Sequence, residues 1–333
     1  HYRSGPPGRV TRGMAERALI TGIAGQDGSY LAELLLARGD EVAGLDRPAA
    51  FASPNLDGVR GKFTEVAGDL LDPASLHDAV AATQPTAIYH LAAPTFVPDS
   101  WVDPTQTLAA IAGATATLLA AALAADPRPR VWVSTSSEVF GDAPSSPQDE
   151  GTPMRPRSPY GVAKLAAHGL ISTMRAHHGL FACSGITYNH ESPRRPPHFL
   201  PRKVTRGAAA ISLGLEEELV LGDLEAVRDW SDARDIMRGA VLALGAPEPG
   251  DYVLASGTGR TVRELVETAL NAAGVEGGVE RWVRVDPAFV RPREHVPLVG
   301  NTHHARAELD WEPEISFERM IAEMVETDLR ELR

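Results

Sequence analysis

The chain has 333 residues, 43% hydrophobic and 23% charged, with a formal charge of −12. That composition supplies one large apolar core or two, and it excludes a mainly disordered chain. The acidic excess argues against nonspecific nucleic-acid binding through a basic surface but permits a local arginine cluster around a phosphorylated small molecule. A single cysteine, Cys183, excludes an intrachain disulfide and a cysteine-only metal site, and it suits a reducing compartment, the cytoplasm.

Residues 1–13, HYRSGPPGRVTRG, have loop composition without an apolar signal-peptide region and read as a leader or a cloning remnant before Met14. From Met14 short apolar strands alternate with helices. RALITGIAG (17–25) predicts a strand, YLAELLLARG (30–39) a helix, EVAGLD (41–46) a strand, PASLHDAVAAT (73–83) a helix and AIYHLAA (87–93) a strand. The segment TLAAIAGATATLLAAALAA (107–125) is uncharged over a membrane-spanning length. Its apolarity comes mostly from alanine, however, and the following DPRPR and VWVSTSS continue a soluble βα alternation, so it reads as a buried helix bordering a subunit interface rather than a membrane span.

VWVSTSS (131–137) and FACSGITY (181–188) are further strands, with a helix beginning at SPYGVAKLAAHG (158–169) between them. Strands separated by such helices predict right-handed βαβ units and a parallel sheet, here a doubly wound α/β (Rossmann) dinucleotide-binding domain over 14–188. Beyond residue 189 the alternation loosens into SPRRPPHFLPRK and VRPREHVP, with helices at 261–273 and 315–329. Open α/β sheets bind ligands beyond the carboxyl ends of their strands. Residues 189–333 are therefore expected to form a smaller α/β substrate-binding subdomain over that crevice, with segments near 228–256 returning to the first domain.

Gly22, Gly25 and Gly28 stand in GxxGxxG spacing between a strand and a helix. Gly22 permits a tight turn, Gly25 lets the backbone approach a pyrophosphate, and Gly28 lets the helix lie against the strand. Unpaired N–H groups at the helix start, around Gln26 and Asp27, then face the phosphates. This context predicts dinucleotide binding. Asp46, ending the second strand, suits the free ribose hydroxyl of NAD, whereas Arg47 suits the 2′-phosphate of NADP, so the two cues conflict.

Tyr160 and Lys164 are four residues apart and share one helix face. A phenol, with a free pKa near 10, is a poor base at neutral pH, and a neighbouring ammonium favours its phenolate. In STSSEVFG, Ser136 is placed to hydrogen-bond a reacting hydroxyl and Glu138 to move a proton at the adjoining carbon. The histidine pairs at 177–178 and 303–304 are adjacent and do not face a common ligand on a helix, so no metal is expected.

These residues and their order resemble the extended short-chain dehydrogenase/reductases that act on nucleotide sugars, and within them the GDP-mannose 4,6-dehydratases. TGIAGQDGSYLAELLL, SPYGVAK, NHESPRR, RDW and ASGTGRTVRE resemble that family's segments in the same order, over roughly residues 17–330, and NHESPRR (189–195) is the most specific. The resemblance implies that Tyr160 takes the C4 hydroxyl proton as hydride leaves C4, that Glu138 removes the C5 proton and helps expel the C6 hydroxyl as water, and that the hydride returns to C6. It implies NADP, or NAD, as cofactor, held also by Asp69, Leu70, Leu91, Ala92, Ala93, His190 and Arg195. Ser100, Asn189, Lys203, Arg228, Arg291 and Glu294 match positions that hold the GDP-sugar.

The departures are equally informative. Ser136 stands where the family has threonine, LAAPT with Pro94 replaces LAAQS, and DRPAAFASPN replaces an Arg-Arg-Ser-Ser loop, which weakens the expectation of NADP and of a tetramer. A homodimer pairing the 107–125 and Tyr-Lys helices is expected, without nucleic-acid or membrane partners. The same chemistry leaves a UDP-glucuronate decarboxylase, a sugar-nucleotide 4-epimerase or reductase, and a non-catalytic nucleotide-binding protein as alternatives.

Overall fold

Six strands come first in the chain: β1 (Arg17–Thr21), β2 (Glu41–Asp46), β3 (Thr64–Ala67), β4 (Ala87–His90), β5 (Arg130–Ser134) and β6 (Ala182–Thr187). They are followed by β7 (Asn189–Glu191), β8 (Leu219–Leu221), β9 (Val227–Asp232), β10 (Asp251–Leu254), β11 (Gly259–Thr261) and β12 (Val283–Val285). This computed structural model describes residues 16–289 and 296–333, so the expected leader and the expected contacts Arg291 and Glu294 lie outside the described residues.

Seven strands form one parallel sheet in the order β10–β6–β5–β4–β1–β2–β3. The chain winds outward in both directions from the β1–β4 pair, which opens a crevice at their carboxyl ends. Strand β3 (TEVA) is absent from the expected elements because it lies largely exposed on the sheet edge and has little apolar pattern. The other outer strand, β10, pairs with β6 and comes from the late part of the chain.

Both faces of the sheet are covered, which accounts for the continuous apolar runs in its central strands. Helices Gln26–Arg38 and Ala233–Gly245 cover one face, around fully buried Tyr89, Trp132 and Trp311. Helices Pro73–Thr83 and Pro159–His178 and the helical run Pro104–Ala124 cover the other. The Pro104–Ala124 run has mean hydropathy 1.9 and is half buried in its most apolar stretch, packed against the other two helices and carrying a π-helical turn at Ala109–Gly113.

A second core gathers helices Leu200–Ser212, Val262–Ala272 and Phe317–Leu332 around Val204, Leu265 and Met324, with Trp230 stacked on Phe317. A reciprocal cap between Thr261 and Glu264 starts the middle helix. The small sheet β11–β9–β7 links this core to the crevice.

Gly185 on β6 is set by packing: an added Cβ would lie 2.0 Å from the ring of buried Trp132. Gly185→Ala should lower unfolding free energy by about 1–3 kcal/mol through overpacking, measured by urea denaturation. Unchanged stability would mean that the indole yields.

Candidate active site

The crevice begins with the turn after β1. Gly22 has φ +75°, and a Cβ there would lie 2.9 Å from the Ala92 backbone; one on Gly28 would lie 2.2 Å from the Gly22 carbonyl oxygen. Gly25 starts the following helix with no side-chain cap, so the first helical N–H groups are available to an anion. The cradle has the shape and donors for a pyrophosphate.

Thr21 sets the opposite wall. Its hydroxyl oxygen accepts the Leu91 and Ala92 N–H groups at 3.2 Å and lies 2.8 Å from His90 Nδ1, to which it donates. Burial, with the Lys164 charge adding to it, pushes the His90 pKa down to about 3, so the ring is neutral and accepts that proton. The turn Leu91–Ala93 is thereby fixed. At the other end of the crevice, Asp46 accepts the Ala24 N–H at 3.2 Å and Asp69 accepts the Leu71 N–H at 2.9 Å.

The Tyr-Lys helix starts with Ser158, which accepts the Gly161 N–H at 3.0 Å, and Pro159 in the first turn. Gly161 permits a close approach, since a Cβ there would lie 2.7 Å from the Glu138 carbonyl oxygen. The short turn Ser136–Glu138 is therefore pressed against Tyr160. Ser136 Oγ accepts the Glu138 N–H at 3.2 Å, and its hydroxyl acts on Tyr160 to lower the phenol's pKa. Lys164 Nζ donates to the Ser134 carbonyl at 2.6 Å and lies 5.8 Å from the Tyr160 ring centroid.

Burial dominates both titrations. It pushes Tyr160 up to about 12, against the Ser136 hydroxyl, and Lys164 down to about 8, against the attraction of Asp27. Glu138 raises the Tyr160 pKa further and Arg195 lowers it. Additional positive charge beside Tyr160 is what this site requires to make phenolate accessible near neutral pH.

Strand β7 brings in the second half of the site. Gln26 Nε2 donates to the His190 carbonyl at 3.1 Å and to Asp27 at 3.0 Å, while Gln26 Oε1 accepts the Ser192 hydroxyl at 2.7 Å. His190 Nδ1 lies 2.7 Å from the Tyr188 carbonyl and Nε2 lies 2.9 Å from Asp27 Oδ2. Both neighbours only accept, so both ring nitrogens carry protons. Burial opposes that charge, but Asp27 outweighs it and raises the His190 pKa, and the same pairing lowers that of Asp27.

The arginines of NHESPRR divide by role. Arg195 lies 3.0 Å from buried Glu191 and 3.7 Å over the Phe199 ring, and its charge reaches Tyr160. Arg194 instead donates to Ser29 and Glu33 and lies 3.9 Å over the Tyr30 ring, binding the loop to the glycine-rich helix. Arg202, unmarked by any motif, is buried; it donates to Asp328 at 2.8 Å, to Glu331 at 3.0 Å and to the Pro193 carbonyl, anchoring the loop from behind.

Among the expected substrate contacts, Asn189 lies on β7 and Arg228 on the adjoining β9, where its Nη1 donates to the Val227 carbonyl. Lys203 Nζ donates to the Val220 carbonyl at 2.8 Å beside the Phe289 ring, and buried Ser100 donates to the Val97 carbonyl at 2.7 Å. Ala93 and Val97, on either side of Pro94, pack against the cluster containing Tyr160. Sequence spacing gave no signal for Thr21, His90, Ser192, Arg202 or Asp328.

Because burial places Lys164 at about 8, kcat/KM should fall above about pH 8 as the ammonium loses its proton. Lys164→Arg, at reduced kcat, should move that limb beyond about pH 10. pH–rate profiles of both proteins check this, and an unshifted limb would assign it to another group.

Residues 19–324 match the family described as GDP-mannose 4,6 dehydratase. Relatives named GDP-mannose 4,6-dehydratase include one from Sinorhizobium fredii, 41% identical and covering 95% of this chain and 97% of its own length. Another, from Vibrio cholerae, is 37% identical and covers 95% of each chain. Among solved structures, the dTDP-glucose 4,6-dehydratase of Streptomyces venezuelae with NAD bound superposes with a TM-score of 0.82 at 27% identity, covering 95% of this chain and 97% of that one. Family profile, full-length relatives and the shared parallel-sheet architecture agree: the chain belongs to the GDP-mannose 4,6-dehydratase family.

Proposed function

We propose that the protein is a nucleotide-sugar 4,6-dehydratase that converts a GDP-hexose, GDP-mannose foremost, into the GDP-4-keto-6-deoxyhexose and water. The observation carrying this reading is the convergence of Ser136, Glu138, Tyr160 and Lys164. A Tyr-Lys pair serves oxidation at C4; Glu138 adds the acid–base group that elimination across C5–C6 requires. The Gly22–Gly25–Gly28 cradle, which a Cβ would fill, fits a nicotinamide dinucleotide. When bound there, that group supplies the hydride acceptor for C4 and the hydride donor for C6, so no external oxidant is consumed.

In this reading Tyr160 takes the C4 hydroxyl proton while Ser136 holds the same oxygen, and the Lys164 ammonium stabilises the phenolate. Glu138 removes the C5 proton, which the ketone at C4 acidifies, and delivers a proton to the departing C6 hydroxyl. Asp27, His190 and Arg195 hold the cofactor end of the crevice, together with Asp46, Asp69, Leu70 and Leu91–Ala93. Asn189, Lys203 and Arg228 take the GDP moiety, for which guanidinium–phosphate pairing suits Arg228.

The test is mass spectrometry of GDP-mannose incubated with the protein and each nicotinamide dinucleotide. Loss of one water is expected with the wild type, and Tyr160→Phe should slow it by about 10²-fold or more. Unchanged GDP-mannose would overturn the reading, and carbon dioxide release from UDP-glucuronate would assign decarboxylation instead.

A homodimer accompanies this reading, in the reducing cytoplasmic setting that suits buried Cys183. Trp101, Leu108 and Val162 are exposed on the neighbouring helices Asp99–Val102, Pro104–Leu108 and Pro159–His178, an apolar face that a second copy would cover. Light scattering at micromolar concentration should give twice the monomer mass, and a monomer mass would overturn this assignment.

A further inference from the structure

We infer that this protein selects NAD over NADP through the Asp46 carboxylate, an inference that rests on the dinucleotide site proposed above. The sequence leaves Asp46 and Arg47 in conflict; their surroundings in the fold are not equivalent.

Asp46 is the last residue of β2, about 20 residues beyond the glycine-rich turn, where a carboxylate meets the adenine ribose in a doubly wound fold. Its position is held on three sides. Oδ2 accepts the Ala24 N–H at 3.2 Å, Oδ1 accepts the Arg47 N–H at 2.9 Å, and its backbone carbonyl accepts the Gly68 N–H at 3.0 Å. Turning the carboxylate aside would strip Ala24, a buried residue of the turn itself, of its acceptor. An ionised carboxylate only accepts, and each oxygen retains a lone pair for a ribose hydroxyl. A 2′-phosphate has no hydroxyl proton to offer at that position and sets a second negative group against the first.

Among the described residues nothing comparable holds a cation there. Arg47 is exposed, and among the described residues its guanidinium has no hydrogen bond or ion pair. An exposed, unoriented guanidinium gains little from an anion in water. Arg60 is directed elsewhere, to the Phe51 and Ser53 carbonyls and to Asp57. The segment after Arg47 forms two short turns, Pro48–Ala52 and Pro54–Leu56. Ser53 Oγ and Asn55 Nδ2 both donate to the Ala24 carbonyl, closing the segment over the glycine-rich turn. Asp69 adds a second carboxylate to the same edge, two residues beyond Ala67, the register partner of Asp46.

The experiment is calorimetric titration of nucleotide-free protein with NAD+ and NADP+, separately and without sugar, so that it reads the cofactor site independently of dehydratase activity. The wild type should bind NAD+ at least about tenfold more tightly than NADP+. Asp46→Ser keeps an acceptor for Ala24 while removing the charge; it should weaken NAD+ and tighten NADP+, and retained NADP+ binding reports a folded site. Arg47→Ala should leave the NAD+ dissociation constant within about twofold. Equal or tighter NADP+ binding by the wild type, an unchanged ratio in Asp46→Ser, or binding of neither nucleotide would each overturn the inference. A clear NAD+ preference in protein that leaves GDP-mannose intact would uphold it while removing the dehydratase reading.

Discussion

The site depends on one buried ion pair, the Asp27 carboxylate against the His190 imidazolium. Asp27 belongs to the first turn after β1 and His190 to a strand 163 positions later. Their union, reinforced by Gln26 bridging to Ser192 and to the His190 backbone, draws the NHESPRR segment onto the glycine-rich turn. A buried pair of this kind contributes little net stability after desolvation, but losing either partner leaves an uncompensated charge, so the geometry is strongly specified. Asp27 also acts on Lys164 and Tyr160, which makes the joint between the two halves part of the electrostatics of the Tyr-Lys cluster.

Charge in the crevice is set by burial and adjusted by neighbours. Desolvation disfavours both the Tyr160 phenolate and the Lys164 ammonium, and the groups that oppose it come from separate elements: Ser136 from the turn after β5 and Arg195 from the loop after β7 favour the phenolate, and Asp27 from the first turn of the helix after β1 favours the ammonium. Close backbone approach makes this convergence possible. Gly161 lets the Tyr-Lys helix lie against Glu138, and Gly22 and Gly28 bring the first turn against Ala92 and its own helix.

The arginine-rich segment shows how a motif mixes architecture with chemistry. Arg194 and Arg202 both serve the fold, one tied to the first helix and the other to the last. Arg195, adjacent to Arg194, is held by Glu191 and Phe199 so that its charge reaches Tyr160. Adjacent residues of identical chemistry thus have different tasks, and composition alone does not distinguish them.

The sequence by itself determined the features that are local in the chain. The βα alternation identified a doubly wound sheet, glycine spacing marked the tight turn between the first strand and helix, and the four-residue interval placed Tyr160 and Lys164 on one helix face. Strand EVAGLD and helix PASLHDAVAAT coincide with their expected spans, and the first helix begins at Gln26, where the glycine spacing placed its N–H groups, a turn before the apolar run that starts at Tyr30. Tertiary structure alone decided what depends on distant partners: the Asp27–His190 pair, Thr21 fixing the turn after β4, the Arg202–Asp328 anchor, and the exposed edge strand β3. It also distinguished the held carboxylate of Asp46 from the exposed guanidinium of Arg47, adjacent in the chain and unlike in their surroundings. Periodicity reports which face of an element is apolar, but a buried polar group is satisfied by whichever partner the fold brings within hydrogen-bond reach, and that partner has no fixed separation along the chain.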